Sequence, residues 1–382
     1  MEEDYSDCIF MIQPAPPGLE AATPLVLIHD GGGTTVSYCY LDSLDREVYG
    51  IQNPRLYSGK PWENGLPEMA KIYADLILSV VPSGPLLLGG WSLGGILSLE
   101  VANILMRTSP VRVVGMVMVD SIYPLAVPQT KPNMVGSQPV FSKDTQPETR
   151  RLVTQCMSLA QTMAWDWIPP VWNGCSDAEL VRKRDELEEE LSLIKAENST
   201  SSSRLNGAAG NGAVMSSNLR NLPSIPKTIL LRCEDYVPVS RPDMPDAVCR
   251  VDVVRELRTL GWEKYPNEFS PVVLSIPGHH FNIFTEEFSG QPSYFADNGN
   301  ALLGYYPGGY GFVQADGGND SSGVGDGDDL AAVERQLDDQ AMQDAIAGLL
   351  GMTFMIDSFN IVALSRSWEA VEEMDYWTFT QD

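Results

Sequence analysis

The stretch PLLLGGWSLGGILSLE, residues 85–100, constrains the fold more than any other part of the chain. An apolar run reads as a buried strand, breaks on glycines around Ser92, and resumes with apolar residues at helical spacing. A strand that turns so quickly into a helix is the unit from which parallel sheets are built, because the helix must pack back on its own sheet. Gly90 and Gly94 set Ser92 in a GxSxG frame, which Gly89 and Gly95 extend. Such a turn raises a serine hydroxyl on a sharp elbow at a helix start, where backbone amides favour developing negative charge. A tight turn with a spectator serine uses the same glycines, so reading Ser92 as a nucleophile requires partners elsewhere in the chain.

The surrounding sequence continues the pattern. TPLVLIH (23–29) is a short apolar run ending in the turn DGGG, and REVYGIQNP is a second short strand. GLPEMAKIYADLILSVV has helical spacing, and VRVVGMVMVD (111–120) is a strand ending on an acid. Strands alternating with helices give an α/β class with a mostly parallel sheet and helices on both faces. Between 121 and 227 the chain offers helices, TRRLVTQCMSLAQTM and AELVRKRDELEEELSLIKAE, before KTILLRCED (227–235) and SPVVLSIPGHHF (270–281) resume the sheet. This divides the chain into an N-terminal segment 1–21, a core over 22–121 and 225–290, and a helical lid inserted at 122–224 over the carboxyl ends of the strands. An acidic linker and helical extension fill 291–382. The stretches 198–218 and 315–330 are too polar to bury a core and read as mobile, whereas 330–368 is apolar enough for one or two helices.

A serine nucleophile needs a base, and the base an orienting acid. Only three histidines are present. His29 precedes DGGG and is placed to shape that loop; His279 and His280 follow the last strand, on the face where the elbow opens. Adjacent loop residues point apart, so one is the base, and we take His280. Two acids end strands within reach, Asp120 and Asp235, and spacing alone does not choose between them. The oxyanion hole is expected from the amide of Leu93 and that of Asp30 or Gly31. Trp165, Trp167 and Trp172, in MAWDWIPPVW, are expected to line a substrate channel.

Composition narrows the partners. Twenty-five Lys and Arg against 51 acids give a formal charge of −26, which excludes nucleic acid. From residue 285 onward 18 acids face only Arg335 and Arg366. The start of the chain has neither the basic head nor the apolar block of a signal peptide, and no charge-free run is long enough to span a membrane. The expectation is a soluble cytoplasmic protein whose six cysteines, lacking CxxC spacing, are reduced thiols. Asp326, Asp328 and Asp329 lack the spacing of a calcium loop, and neither metal nor cofactor is expected.

LVLIHDGGGTTVSYCYLDSLDREVYGIQNP, GPLLLGGWSLGGILSLEVANIL and VVGMVMVDSIYP together resemble the type I thioesterases of polyketide and peptide synthases, and most of all the thioesterase/cyclase domains that end fungal non-reducing polyketide synthases. PGHHFNIF is similar to that family's histidine motif, with His279 where the family carries aspartate. The resemblance implies an α/β-hydrolase fold and a triad of Ser92, Asp120 and His280, with the acid after the strand that follows the elbow helix. It implies a carrier protein or polyketide synthase that delivers a phosphopantetheine thioester, here to a free-standing enzyme. Release by hydrolysis, cyclisation or acyl transfer is open. An esterase or lipase acting on small oxoesters, or a non-catalytic scaffold, would use the same fold.

Overall fold

The computed structural model describes residues 5–136, 141, 145–202 and 222–284. The chain enters a seven-stranded sheet through β1 (Ile9–Gln13), then adds β2 (Leu25–Ile28), β3 (Val48–Ile51), α1 (Gly65–Val80), β4 (Gly84–Trp91), α2 (Leu93–Thr108) and β5 (Val111–Val119). A two-residue strand β6 (Met134–Val135) and two helices, α3 (Pro147–Trp165) and α4 (Ala178–Ser202), precede β7 (Thr228–Cys233). After β8 (Val248–Cys249), which pairs only with β6, β9 (Val272–Ile276) closes the far edge. The order across the sheet is β1-β3-β2-β4-β5-β7-β9, all parallel except β1, which runs antiparallel to β3.

Strand alternation sets the two faces of the sheet. Val26, Ile28, Leu86, Leu88, Met116 and Met118 join α1 and α2 in one core. Leu25, Leu27, Leu87, Val117 and Val119 form the other, closed by Tyr38, Leu44, Ile283 and the partly buried Phe281 and Phe284. Among the described residues α1 and α2 therefore share one face rather than dividing between two. The segment 1–21, read as lying outside the core, contributes the edge strand β1. Helix α4 runs into the polar stretch 198–218 as far as Ser202; residues 203–218 and the whole extension 291–382 lie outside the described residues.

The strand order reverses between β2 and β4: the chain leaves β2 toward β3 and leaves β4 toward β5. Ile28 pairs with Gly90 across that boundary, so the loop after β2 and the elbow after β4 emerge side by side. Open α/β sheets place their sites at such a reversal.

Helix α3 buries Leu152, Cys156, Ala160 and Ala164, a stripe at four-residue spacing that faces inward. Helix α4 is fastened by charge instead. Arg184 donates to both carboxylate oxygens of Glu100 on α2, at 2.9 and 2.8 Å, and the indole N–H of Trp167 donates to the same carboxylate at 2.6 Å. Glu100 is completely buried, so without that guanidinium its carboxylate would lose its salt-bridge partner away from water. Arg184→Met is expected to cost about 3 kcal/mol in urea unfolding, and a second change, Glu100→Leu, to recover much of it. An unchanged midpoint in Arg184→Met would show that the pair does not hold α4.

Candidate active site

The elbow is assembled by close backbone approach. A Cβ on Gly94 would collide with the Ile28 carbonyl, and one on Gly90 would sit 2.6 Å from the Gly94 Cα, so glycine is required at both places. Helix α2 can then start directly over the end of β2. Tyr38 fastens the same junction: its hydroxyl donates to Ile28 O at 2.6 Å and accepts the Trp91 N–H at 2.8 Å. Ser92 is left with φ 57° and ψ −114°, a left-handed backbone for a residue with a Cβ, held by its N–H donating to Val119 O at 2.8 Å.

His280 meets this serine. Its Nε2 lies 3.0 Å from Ser92 Oγ, and its Nδ1 lies 2.8 Å from Asp120 Oδ2. Asp120 follows β5, also at positive φ (45°), and is fully buried. Burial alone would raise its pKa, but hydrogen bonds from Arg255 and His280 outweigh burial and hold it well below the ordinary carboxylate range. Asp120 is thus ionised and only accepts, which fixes the proton on His280 Nδ1 and leaves Nε2 to accept from Ser92 Oγ. This buried Ser92–His280–Asp120 arrangement is a serine-hydrolase catalytic triad.

Asp235 does not share this role. It is exposed, its backbone N–H donates to Gly278 O at 3.0 Å, and His280 Nδ1 is already engaged by Asp120. His279 turns elsewhere, its Nδ1 accepting the Phe281 N–H at 3.2 Å and its own N–H donating to Asn282 Oδ1 at 2.6 Å.

Arg255 is the residue that sequence patterning missed. Its guanidinium donates to both oxygens of Asp120, to Asp252 Oδ1 at 2.8 Å and to Cys233 O at 3.1 Å, while the Cys233 N–H donates to Asp120 at 2.9 Å. The only local signal is the i, i+3 pair Asp252 and Arg255; the partner that matters is 135 residues away.

Asp30 and Gly31 line a cavity with Ser92, Leu93 and His280 that is partly open to solvent. Ile96, Ile122 and Pro124 line it, together with Met157, Ala160, Gln161 and Ala164 from α3. Two of the expected channel residues are elsewhere. Trp172 is fully buried, and Trp167 is 3% exposed with its indole turned to Glu100, because both are packing the junction of α2 with the helical segment. Trp165 does not line the cavity either, but stacks against Arg250, which does.

His29 anchors the loop after β2. Its Nδ1–H donates to Asp30 O at 2.5 Å, and its Nε2 accepts from the Tyr73 hydroxyl at 2.5 Å. Burial pushes the His29 pKa down to about 4 and the Asp30 carboxyl up to about 6, although the Gly32 N–H on Asp30 Oδ1 works against the latter.

The Thioesterase domain family model matches residues 23–161. A probable thioesterase of Glarea lozoyensis, gloN, is 33% identical over 276 residues, covering 72% of this chain and 86% of that protein. Thioesterase frbE of Dothideomycetidae sp. is 30% identical over 290 residues, covering 74% and 91%. A nonribosomal peptide synthetase of Aspergillus flavus, imqB, is 47% identical over 107 residues, 28% of this chain and 3% of that one. With a mostly parallel sheet and a triad at its carboxyl edge, the fold and site are those of an α/β hydrolase. Within that class the chain belongs to the thioesterase family.

Two measurements test the electrostatics. Arg255→Met leaves Asp120 without its strongest partner, so the acid limb of the pH profile for Ser92 labelling by a fluorophosphonate should move up by about one unit or more; an unmoved limb refutes the role. The second concerns stability. The folded state binds the His29 proton less readily than the unfolded chain, so stability is lost as pH falls from 6.5 toward 4, by about 3 kcal/mol. Asp30 acts oppositely, because its raised pKa makes acidification from 6 to 3.8 stabilising. In urea titrations from pH 7 to 4, His29→Gln should lose less stability than the wild type and Asp30→Asn should lose more. Parallel curves for all three proteins contradict this.

Proposed function

We propose that the chain is a serine thioesterase that takes an acyl group from a phosphopantetheine thioester on a carrier protein in secondary-metabolite biosynthesis. The observation that carries this reading is His280 bridging Ser92 and Asp120 beside a cavity, in a chain of the thioesterase family. Ser92 Oγ attacks the thioester carbonyl and passes its proton to His280 Nε2, and Asp120 stabilises the imidazolium. The C–S bond breaks, the proton goes to the leaving thiolate, and the acyl group stays on Ser92. Water then gives an acid, whereas a hydroxyl, amine or enol carbon of the acyl chain or of a second molecule gives an ester, amide or ring.

The Leu93 amide and that of Asp30 or Gly31 serve as the oxyanion hole. Leu93 is the first residue of α2, whose leading N–H groups have no intrahelical acceptor, and Asp30 and Gly31 line the same cavity. The core over 22–121 and 225–290 carries the triad, and 122–224 acts as the lid, with α3 setting how much water reaches the acyl-serine. The apolar lining supports a hydrocarbon-rich acyl group, and a polyketide chain is our first choice over a peptide.

Intact-mass analysis after exposure to acyl-pantetheine thioesters, beside Ser92→Ala, tests the reading. An adduct on Ser92 and thiol release should both vanish in Ser92→Ala, and Asp120→Asn should lower kcat by about ten-thousandfold. Preference for matched oxoesters over thioesters would make the protein an esterase. No Ser92-dependent reaction with any free or carrier-bound acyl group would leave a non-catalytic fold.

A further inference from the structure

We propose that Arg250 determines acyl specificity, and that the acyl chain taken by this cavity carries an oxyanionic group, a carboxylate or ionised enol, away from its thioester. The proposal rests on the thioesterase reading and deepens it.

Arg250 follows β8, is 5% exposed, and lines the cavity that holds Ser92 and His280. Two other buried arginines of this structure are answered by carboxylates, Arg184 by Glu100 and Arg255 by Asp120 and Asp252. Arg250 has no carboxylate partner among the described residues. It stacks over the Trp165 ring, 3.9 Å from the centroid, and donates one long hydrogen bond, 3.5 Å, to Gln161 O. Nearby acids are otherwise engaged: Asp252 by Arg255 and the Val237 N–H, and Asp30 by the Gly32 N–H. Burial pushes the Arg250 pKa down to about 10, whereas those of Arg184 and Arg255 are raised by their partners.

An unpaired buried guanidinium is costly, and stacking on one indole returns only part of the cost. The indole N–H of Trp165 also lacks an acceptor among the described residues. Beside this donor and the polar Gln161 and Asp30, the cavity is lined by apolar residues, Ile96, Ile122, Pro124, Ala160 and Val251 among them. A hydrocarbon chain with one anionic oxygen group satisfies both features, because a guanidinium takes a carboxylate or enolate through paired hydrogen bonds. The phosphate of the pantetheine arm has the same chemistry. We place the anion on the acyl chain because Arg250 lines the same cavity as Ser92 and His280.

The test uses the full chain and matched pantetheine thioesters, octanoyl against ω-carboxyacyl esters in a series of lengths, with wild type, Arg250→Met and Arg250→Lys. The wild type should favour a carboxylate ester at one length. Arg250→Met should lower kcat/KM for that ester by about tenfold or more while octanoyl stays within about twofold, and Arg250→Lys should keep part of the preference. Fluorophosphonate labelling of Ser92 at the wild-type rate shows that a variant is folded with its triad intact. Equal losses on both esters, or none, overturn the proposal. So does a loss seen only with phosphopantetheine esters whatever the acyl group, which would assign the guanidinium to the carrier arm. Should Arg250→Met not fold, a wild type with no preference at any length overturns it alone. No thiol release from any thioester sinks the thioesterase reading and this one with it.

Discussion

The site depends on a contact from which side chains are excluded. Helix α2 begins so close to β2 that only hydrogen fits between the Gly94 Cα and the Ile28 carbonyl, and Gly90 admits the first turn of the helix from the other side. That approach brings the elbow against the loop after β2, and Tyr38 ties Ile28 to Trp91 beneath it. The position of Ser92 follows from the packing of two strands and a helix, and so does its left-handed backbone. A bulkier residue at Gly94 would displace the start of α2, and with it the serine and the leading amides together.

Above this rigid floor the electrostatics are arranged in series. Asp120 must stay ionised at zero exposure to orient His280, and burial opposes that. Arg255 reverses the balance, and Asp252 in turn neutralises the second half of Arg255's charge. The chain Asp252–Arg255–Asp120–His280–Ser92 runs from the end of β8 to the elbow, each member supplying the charge or proton its neighbour lacks. The Glu100, Arg184 and Trp167 group uses the same physics for a different end. There a buried carboxylate fastens α4 to α2 and touches nothing reactive.

Much of this could be read from the sequence, for identifiable reasons. Buried parallel strands are apolar runs, so β2, β4, β5, β7 and β9 stand out, and the elbow announces itself through its glycines. The edge strand β1 does not, because IFMIQ is short and its exposed positions blur the alternation. Asp120 and Asp235 are equivalent as strand-ending acids. What separates them is that Asp120 is buried against Arg255 and His280, a fact about three distant segments. Tryptophans in the helical insertion could face substrate or core with equal plausibility in one dimension; the Trp167 indole found Glu100, 67 residues earlier, and the matter was decided by that bond. Arg255 and Arg250 carry no motif at all.

Local rules are broken where the chemistry is. Of the four non-glycine residues with positive φ among the described residues, two are Ser92 and Asp120, each at a cost of about 1–3 kcal/mol. The unpaired guanidinium of Arg250 and the raised carboxyl of Asp30 line the same cavity. Elsewhere among the described residues, the buried Arg184, Arg255, Glu100 and Asp252 are in salt bridges, and the buried Arg46 donates to the Leu44 and Thr23 carbonyls. A fold that pairs these charges so consistently has the means to pair the remainder. Leaving the strained Ser92 and the unmatched charge of Arg250 at one cavity is how a stable scaffold holds binding energy in reserve for a ligand.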